Sequence, residues 1–212
     1  MTAERTGARL NAVLAEAGLK PLGAETAQRF DEYCSLIVRW NARLNLTSMR
    51  TEDSIIINHL NESIACAMAI SSGVETLLDF GSGAGLPGIP IALCRPEVAV
   101  TLAESQGKKA AFLQEAIRVL GISVKVHAGR AETLNRVFDC VVLRAVDKMP
   151  KAVAVATRLV ALGGWLALMT TDADVVRLQA AAGAEFSWNE PRRLPFGEQR
   201  VLALGRRVSS QA

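Results

Sequence analysis

Residues 77–88, Leu-Leu-Asp-Phe-Gly-Ser-Gly-Ala-Gly-Leu-Pro-Gly, run an apolar segment into alternating glycines and then into a helix-like stretch. Asp79 followed by Gly81, Gly83 and Gly85 describes a strand whose end admits a ligand close to bare backbone, because glycine has no Cβ and tolerates positive φ. A helix is predicted to start near Leu86, with Pro87 in its first turn, where the missing N–H loses no hydrogen bond. The stretch therefore predicts a nucleotide-like cofactor site at the end of a strand.

Outward from this turn, β-like runs alternate with helical ones. Strands are predicted at 75–80, 98–104, 122–127, 138–144 and 165–170, and helices near 86–94, 107–120, 147–161 and 173–182. Gly121 suits a helix C-terminus and Gly163-Gly164 a turn before Trp165. Alternation of this kind makes a mostly parallel sheet with right-handed crossovers, covered on both faces. Two further strands, 184–190 and 199–205, joined by Pro191-Arg192-Arg193-Leu194-Pro195-Phe196-Gly197, leave no room for a helix and are expected to pair as an antiparallel hairpin. Upstream, helical spacing covers Ala8–Gly18 and Ala24–Leu44, the latter with Phe30, Tyr33, Ile37, Trp40 and Leu44 on one stripe. A third helix is predicted from just after Thr51, with Glu52 and Asp53 in its first turn, to about Ile70. The expected architecture is an α/β, Rossmann-like domain at 73–212 with a seven-stranded sheet, preceded by an N-terminal helical cap at 1–72. The tail Ser209–Ala212 is expected to fray.

At 212 residues and 50% hydrophobic content, the chain can bury one sizeable core. It has no apolar run of the roughly 18 residues a membrane span needs, and charges at Glu4, Arg5, Arg9 and Glu16 interrupt any signal-peptide core. A cytoplasmic location is expected. The cysteines at 34, 66, 94 and 140 form no CxxC pair and read as reduced, buried apolar residues. Two histidines give no metal-ligand spacing. The Asn45-Leu46-Thr47 sequon carries no meaning without secretion. Residues 106–158 hold ten Lys/Arg against four acids, a net +6, which leaves the remainder at −3. That asymmetry fits either a polyanionic partner or ordinary solvated helix faces.

Two cofactors compete for the glycine turn. Gly83-x-Gly85-x-x-Gly88 satisfies the dinucleotide fingerprint, and Glu104 lies nineteen residues after Gly85 at the end of the second strand, where either cofactor places an acid on its ribose. Against NAD stand Asp79 two residues before Gly81, the 78 residues preceding it and the antiparallel C-terminal edge. Pro87 and Pro90 also remove donors that a pyrophosphate would use at a helix N-terminus. S-adenosylmethionine has no phosphate and does not miss them. The residues favour S-adenosylmethionine and the class I methyltransferase fold, with an NAD-dependent oxidoreductase or a non-catalytic S-adenosylmethionine- or RNA-binding module as alternatives.

Asp-Phe-Gly-Ser-Gly-Ala-Gly-Leu-Pro-Gly-Ile-Pro at 79–90 resembles the signature of the RsmG (GidB) family of small-subunit rRNA guanine-N7 methyltransferases. Matches continue in Trp40-Asn41, Leu44-Asn45-Leu46-Thr47, His59 with Glu62-Ser63, Gly107-Lys108-Lys109 with Phe112-Leu113, Gly129-Arg130-Ala131-Glu132 and Arg144-Ala145-Val146. The resemblance implies that Gly81 and Leu86 contact the cofactor, that Ala131 and Glu132 lie beside its adenine, and that Arg144 reaches the cofactor or the target base. It implies 16S rRNA as partner, within a small-subunit particle or assembly intermediate. The chain departs from the family at Glu62 and Glu104, where Asp is common, and at Thr170, where Lys is common.

The candidate site is thus Asp79, Gly81, Gly83, Gly85, Leu86, Glu104, Ala131, Glu132 and Arg144, with Arg144 as the catalytic residue. Each has a plainer alternative. Arg144 could make a surface ion pair with Asp147, Glu132 could flank a helix N-cap, and Asp79 could hold backbone amides without touching ligand. His59 could be a packed histidine, Trp40 core, and Arg39 and Arg43 a solvated face. Cys140 looks buried, against a cytosine-C5 mechanism, and no Asp/Asn-Pro-Pro-aromatic sequence follows the fourth strand, against exocyclic-amine transfer. Guanine N7 carries a free lone pair and needs no base. A monomer is expected.

Overall fold

The computed structural model describes residues 6–46, 51–195 and 199–208, excepting the side chains at 52, 57 and 58. Glu4, Arg5, Thr47, Phe196, Gly197 and the 209–212 tail, all singled out above, lie outside the described residues, as does the side chain of Glu52. Five strands form the parallel part of the sheet: β1 (Thr76–Phe80), β2 (Ala99–Ala103), β3 (Lys125–His127), β4 (Phe138–Arg144) and β5 (Val160–Thr171). Three more close the far edge: β6 (Phe186–Trp188), β7 (Arg192–Arg193) and β8 (Arg200–Arg207). The order is β3-β2-β1-β4-β5-β8-β6, with β8 antiparallel to β5 and β6, and β7 also paired to β8. The expected seven-strand path and its hairpin edge are present, and β7 adds a two-residue rung within the connection read as a loop.

Helices cover both faces. On one lie α1 (Thr6–Glu16), α2 (Ala24–Leu44), α3 (Glu52–Ile55), α4 (Asn61–Ala69), α5 (Gly88–Cys94) and α6 (Gly107–Leu120); on the other, α7 (Met149–Ala156) and α8 (Asp172–Ala182). Strand side chains alternate between these layers. Leu77, Cys140, Val142, Ala167, Leu202 and Leu204 join the core under α1–α6, while Leu78, Val141, Leu143, Leu166 and Val201 join the core under α7 and α8. By the same parity Asp79, Arg144 and Arg200 all project toward the N-terminal helices. Trp40 packs edge-on against Phe112 with ring centroids 5.6 Å apart, and Arg39 bonds Glu115 at 2.7 Å. Among the described residues no helix is long and apolar enough to cross a membrane.

β3 starts at Lys125 rather than 122, α1 spans Thr6–Glu16 rather than Ala8–Gly18, and Pro87 is the N-cap of α5 rather than part of its first turn; three differences are larger. The third N-terminal helix is not continuous, because residues Ile56–Leu60 form a π-helical turn between α3 and α4; such turns are rare and often sit at functional sites. The helix expected at 147–161 is Met149–Ala156, followed by a 3₁₀ turn and then by β5 from Val160 rather than 165. Gly163-Gly164 therefore lies inside a strand, not a turn. Gly163 takes φ +76° where the β4–β5 register jumps from Phe138↔Val160 to Cys140↔Trp165, so the pair forms a bulge that only glycine enters cheaply.

Asn61 is fully buried at the start of α4, and neither its Oδ1 nor its Nδ2 has a hydrogen-bond partner among the described residues. A buried unpaired amide costs about 1–3 kcal/mol. Asn61→Leu is therefore expected to raise stability by a comparable amount, roughly 2–4 °C in Tm per kcal/mol for a chain of this size. A melting curve showing a lower Tm for the variant would overturn that account.

Candidate active site

The carboxyl ends of β1, β2, β3 and β4 open into a two-lobed cleft, where open α/β sheets bind ligands. The larger lobe, about 770 Å³, is lined by Phe80, Gly81, Ala131, Glu132 and the basic residues Arg130, Lys148 and Lys151 among others. The smaller, about 470 Å³, is lined among others by Gly83, Leu86, Glu104, Arg144 and His59, and shares Gly81, Ser105, Val146 and Asp147 with the first. Seven of the nine expected site residues are thus brought together.

The turn holds its shape through local bonds. The N–H groups of Gly81 and Ser82 both donate to the Ala103 carbonyl at 3.0 Å, and the N–H of Gly83 donates to Glu104 Oε2 at 2.9 Å. Glu104 Oε1 accepts from the Gln106 N–H at 2.7 Å, so this carboxylate spans both loops that face the smaller lobe. Gly83 has φ +56°, and a Cβ built there meets nothing within 4 Å. That open space lies on the cleft wall.

Asp79 and Gly85, expected to bind cofactor, line neither lobe. Asp79 is 1% exposed and its Oδ2 accepts the Gly88 N–H at 2.9 Å, tying the end of β1 to the first residue of α5. Its place in the strand alternation turns it inward, away from the cleft. A Cβ on Gly85 would sit 2.5 Å from Ile89 and 3.1 Å from Leu113, so that glycine answers to packing rather than to ligand.

Burial pushes the Asp79 carboxyl up to about 7, with the Gly88 N–H, Ser82 and Arg144 opposing and Glu104 reinforcing the rise. The folded state then holds this proton over a pH range where the unfolded chain has lost it. Stability is expected to fall as pH rises from about 4 to 7, by at most on the order of 1 kcal/mol per pH unit from this one group. Asp79→Asn should flatten that component of the slope in denaturation curves measured across the interval. An unchanged slope in the variant would assign the dependence elsewhere.

Arg144 is 8% exposed and locked into the N-terminal helices. Its Nη2 donates to Glu62 Oε2 at 2.7 Å and meets His59 Nδ1 at 2.8 Å, while its Nη1 donates to the His59 carbonyl and Ser63 Oγ, both at 3.3 Å. A guanidinium only donates, so His59 Nδ1 accepts. In place of the surface ion pair with Asp147 allowed for on the sequence, the structure gives Arg144 a buried pair with Glu62. The π-helical turn supplies His59 to it. Burial raises the Glu62 carboxyl, with Arg144 and Arg200 pulling the other way. Arg200 also reaches Glu62 Oε2, at 3.4 Å, and its Nε is buried with no partner among the described residues. Nothing in the sequence singled out Arg200; its place depends on the β5–β8 register, which pairs it with Thr171.

Glu132 lies at the rim of the larger lobe with Arg130 bonded to its Oε1 at 2.6 and 3.0 Å. That bond, foremost, holds its carboxyl below the usual range. Ala131 is buried beside it. Thr170 is buried on β5 opposite Val201.

The family described as rRNA small subunit methyltransferase G, GidB, matches residues 26–195. The chain belongs to this family. It is 43% identical over 164 residues to a ribosomal RNA small subunit methyltransferase G of Neisseria meningitidis serogroup A, covering 76% of this chain and 78% of that protein. To its counterpart in Xanthomonas euvesicatoria pv. vesicatoria it is 42% identical over 151 residues, 70% of each chain. Among solved structures, a methyltransferase from Pyrococcus furiosus aligns with TM-score 0.61 at 14% identity, covering 86% of this chain and 99% of that one. A SAM-dependent methyltransferase from Aquifex aeolicus aligns with TM-score 0.58 at 15% identity over 73% and 93%. At these identities the two structures show the fold, that of class I methyltransferases. GidB membership removes the NAD-dependent oxidoreductase and the non-catalytic module, and its cofactor is S-adenosylmethionine. The cleft fits that group: the space a Gly83 Cβ would fill lies open, and Glu104 lines the same lobe.

Proposed function

We propose that this GidB protein methylates N7 of a guanine in 16S rRNA, within a small-subunit particle or assembly intermediate, as a cytoplasmic monomer. The observation that carries this reading is how the titratable groups of the smaller lobe are engaged. Both Glu104 oxygens hold amides and His59 Nδ1 holds Arg144, while Asp147 is exposed at the rim. A lobe so occupied suits a nucleophile with no proton to lose, as guanine N7 is. S-adenosylmethionine, when bound, supplies an electrophilic methyl group on its sulfonium.

The chain's own task is alignment, since an in-line displacement gains chiefly from holding its reactants in register. Gly81, Gly83, Leu86, Glu104, Ala131 and Glu132 would hold the methyl donor, and Asp79 and Gly85 would keep the turn in shape. Arg144, at the lip of the smaller lobe, would set the position of the guanine by donating to O6 in exchange for one of its 3.3 Å bonds, leaving the N7 lone pair free for the methyl. Lys109, Arg130, Lys148 and Lys151 line the two lobes and would meet phosphates of unstacked RNA, so binding should weaken steeply with salt. Residues 1–72 would form a cap and 73–212 the methyltransferase domain, sharing the core beneath α1–α6.

The test is chemical mapping of N7-methylguanine in 16S rRNA from cells with and without this protein, followed by methyl transfer in vitro to small-subunit particles and naked rRNA. One guanine should lose its N7 methyl without the protein and regain it with the purified enzyme. An unchanged N7 map would overturn the substrate assignment.

A further inference from the structure

We propose that Tyr33 is a positioning residue for the methyl donor, acting through the hydrogen bond from its phenol to the Ala84 carbonyl at the crest of the glycine turn. This rests on reading the cleft as the S-adenosylmethionine site. Tyr33 lies on α2 and is fully buried, and its hydroxyl donates to Ala84 O at 2.6 Å across 51 residues of sequence. Ala84 itself lines the smaller lobe.

The other bonds of the turn are supplied by the sheet and the turn itself. Gly81 and Ser82 use the Ala103 carbonyl, Gly83 uses Glu104, Gly85 and Leu86 use the Ser82 carbonyl, and Gly88 uses Asp79. Among the described residues Tyr33 is the contribution from the N-terminal helices, and it grips the segment between Gly83 (φ +56°) and Gly85 (φ +84°). A glycine turn with several such residues has many alternative shapes open to it. A buried phenol anchored on a rigid helix selects one of them, because a buried carbonyl without a donor is unfavourable. Burial, the neighbouring Asp79 and Cys34 push the phenol well above its ordinary pKa, against the pull of Arg144, so it remains a donor at any working pH. The docking of α2 is thereby written into the wall of the cofactor site.

The experiment compares wild type with Tyr33→Phe, which keeps the ring and removes the donor, and with Phe30→Leu, an apolar change at a fully buried position of the same helix. Calorimetry on the cofactor-free proteins should show S-adenosylmethionine binding weakened roughly three- to tenfold in Tyr33→Phe, the scale of one net hydrogen bond. Phe30→Leu should lower Tm while leaving that affinity unchanged. Steady-state kinetics should show the KM for S-adenosylmethionine raised, with kcat and the KM for RNA preserved, and amide exchange at Gly85 and Leu86 should quicken before any cofactor is added. Equal affinity in wild type and Tyr33→Phe, or equal weakening in both variants, would overturn the role of Tyr33 while leaving the cofactor site intact. Failure of wild type to bind S-adenosylmethionine would overturn both.

Discussion

Arg144→Ala is expected to abolish methyl incorporation into rRNA and also to destabilise the protein by about 3–5 kcal/mol, the usual consequence of removing one member of a buried ion pair. The second effect follows from the structure. Arg144 bonds Glu62, His59 and Ser63 at once, so its loss leaves a carboxylate in the core with, among the described residues, only the more distant Arg200 paired to it. Burial already raises the Glu62 carboxyl, and without Arg144 it should rise further. A raised carboxyl contributes stability that is present at low pH and lost as pH climbs through its folded value. The deficit of the variant should therefore be smaller at pH 5 than at pH 8. To separate folding from chemistry, the double variant Glu62→Leu with Arg144→Met replaces the pair with apolar groups of similar size, which is often neutral or stabilising. It should recover most of the unfolding free energy in denaturant titrations and remain inactive. Full activity in that folded double variant would show that Arg144 only staples helix to sheet.

Gly88→Ala is expected to cost about 3 kcal/mol or more of stability, whereas Gly83→Ala should cost only about 1–2 kcal/mol. A Cβ on Gly88 would lie 2.3 Å from Leu102 Cδ2 and 2.6 Å from Asp79 Oδ2, and moving apart to relieve this breaks the Gly88–Asp79 bond. Overpacking of about 1–3 kcal/mol and a buried group left unpaired then act together. At Gly83 the space is open and only the positive φ is penalised, by about 1–2 kcal/mol. Binding should rank the other way for a larger side chain: Gly83→Val fills the wall of the cleft and should remove measurable affinity for S-adenosylmethionine. Denaturation midpoints for the two alanine variants and calorimetry for Gly83→Val check both halves. Equal stability losses at positions 83 and 88 would refute the distinction between a glycine kept for ligand and one kept for packing.

Much of this was legible in the residues. Strand–helix alternation after Glu75 and the glycine turn are local signals, and they placed the parallel sheet, its hairpin edge and Gly81, Gly83 and Glu104 at the cleft, whereas Leu86, Ala131 and Glu132 were named on the family resemblance, which also gave Arg144 its reach to the cofactor. What was hidden depends on register between distant segments. That Asp79 and Arg144 face the N-terminal helices follows from parity within β1 and β4, which a sequence carries once the burial of either strand is known. The partner of Arg144 does not follow, because Glu62 is 82 residues away on a helix whose phase is reset by the π-helical turn. Gly163-Gly164 looked like a turn because a bulge and a turn ask the same backbone freedom of glycine. Arg200 carried no local mark at all.

The placing of β8 between β5 and β6 has a consequence for the order of assembly during synthesis. Both neighbours leave the ribosome before the strand that parts them, so β5 exposes a bare edge of unpaired amides and carbonyls until β8 arrives. The same late strand brings Arg200 to Glu62. The cluster that seats Arg144 is therefore completed in one step with the closing of the sheet, and a nascent chain short of β8 has neither a sealed edge nor a complete Arg144–Glu62–Arg200 cluster.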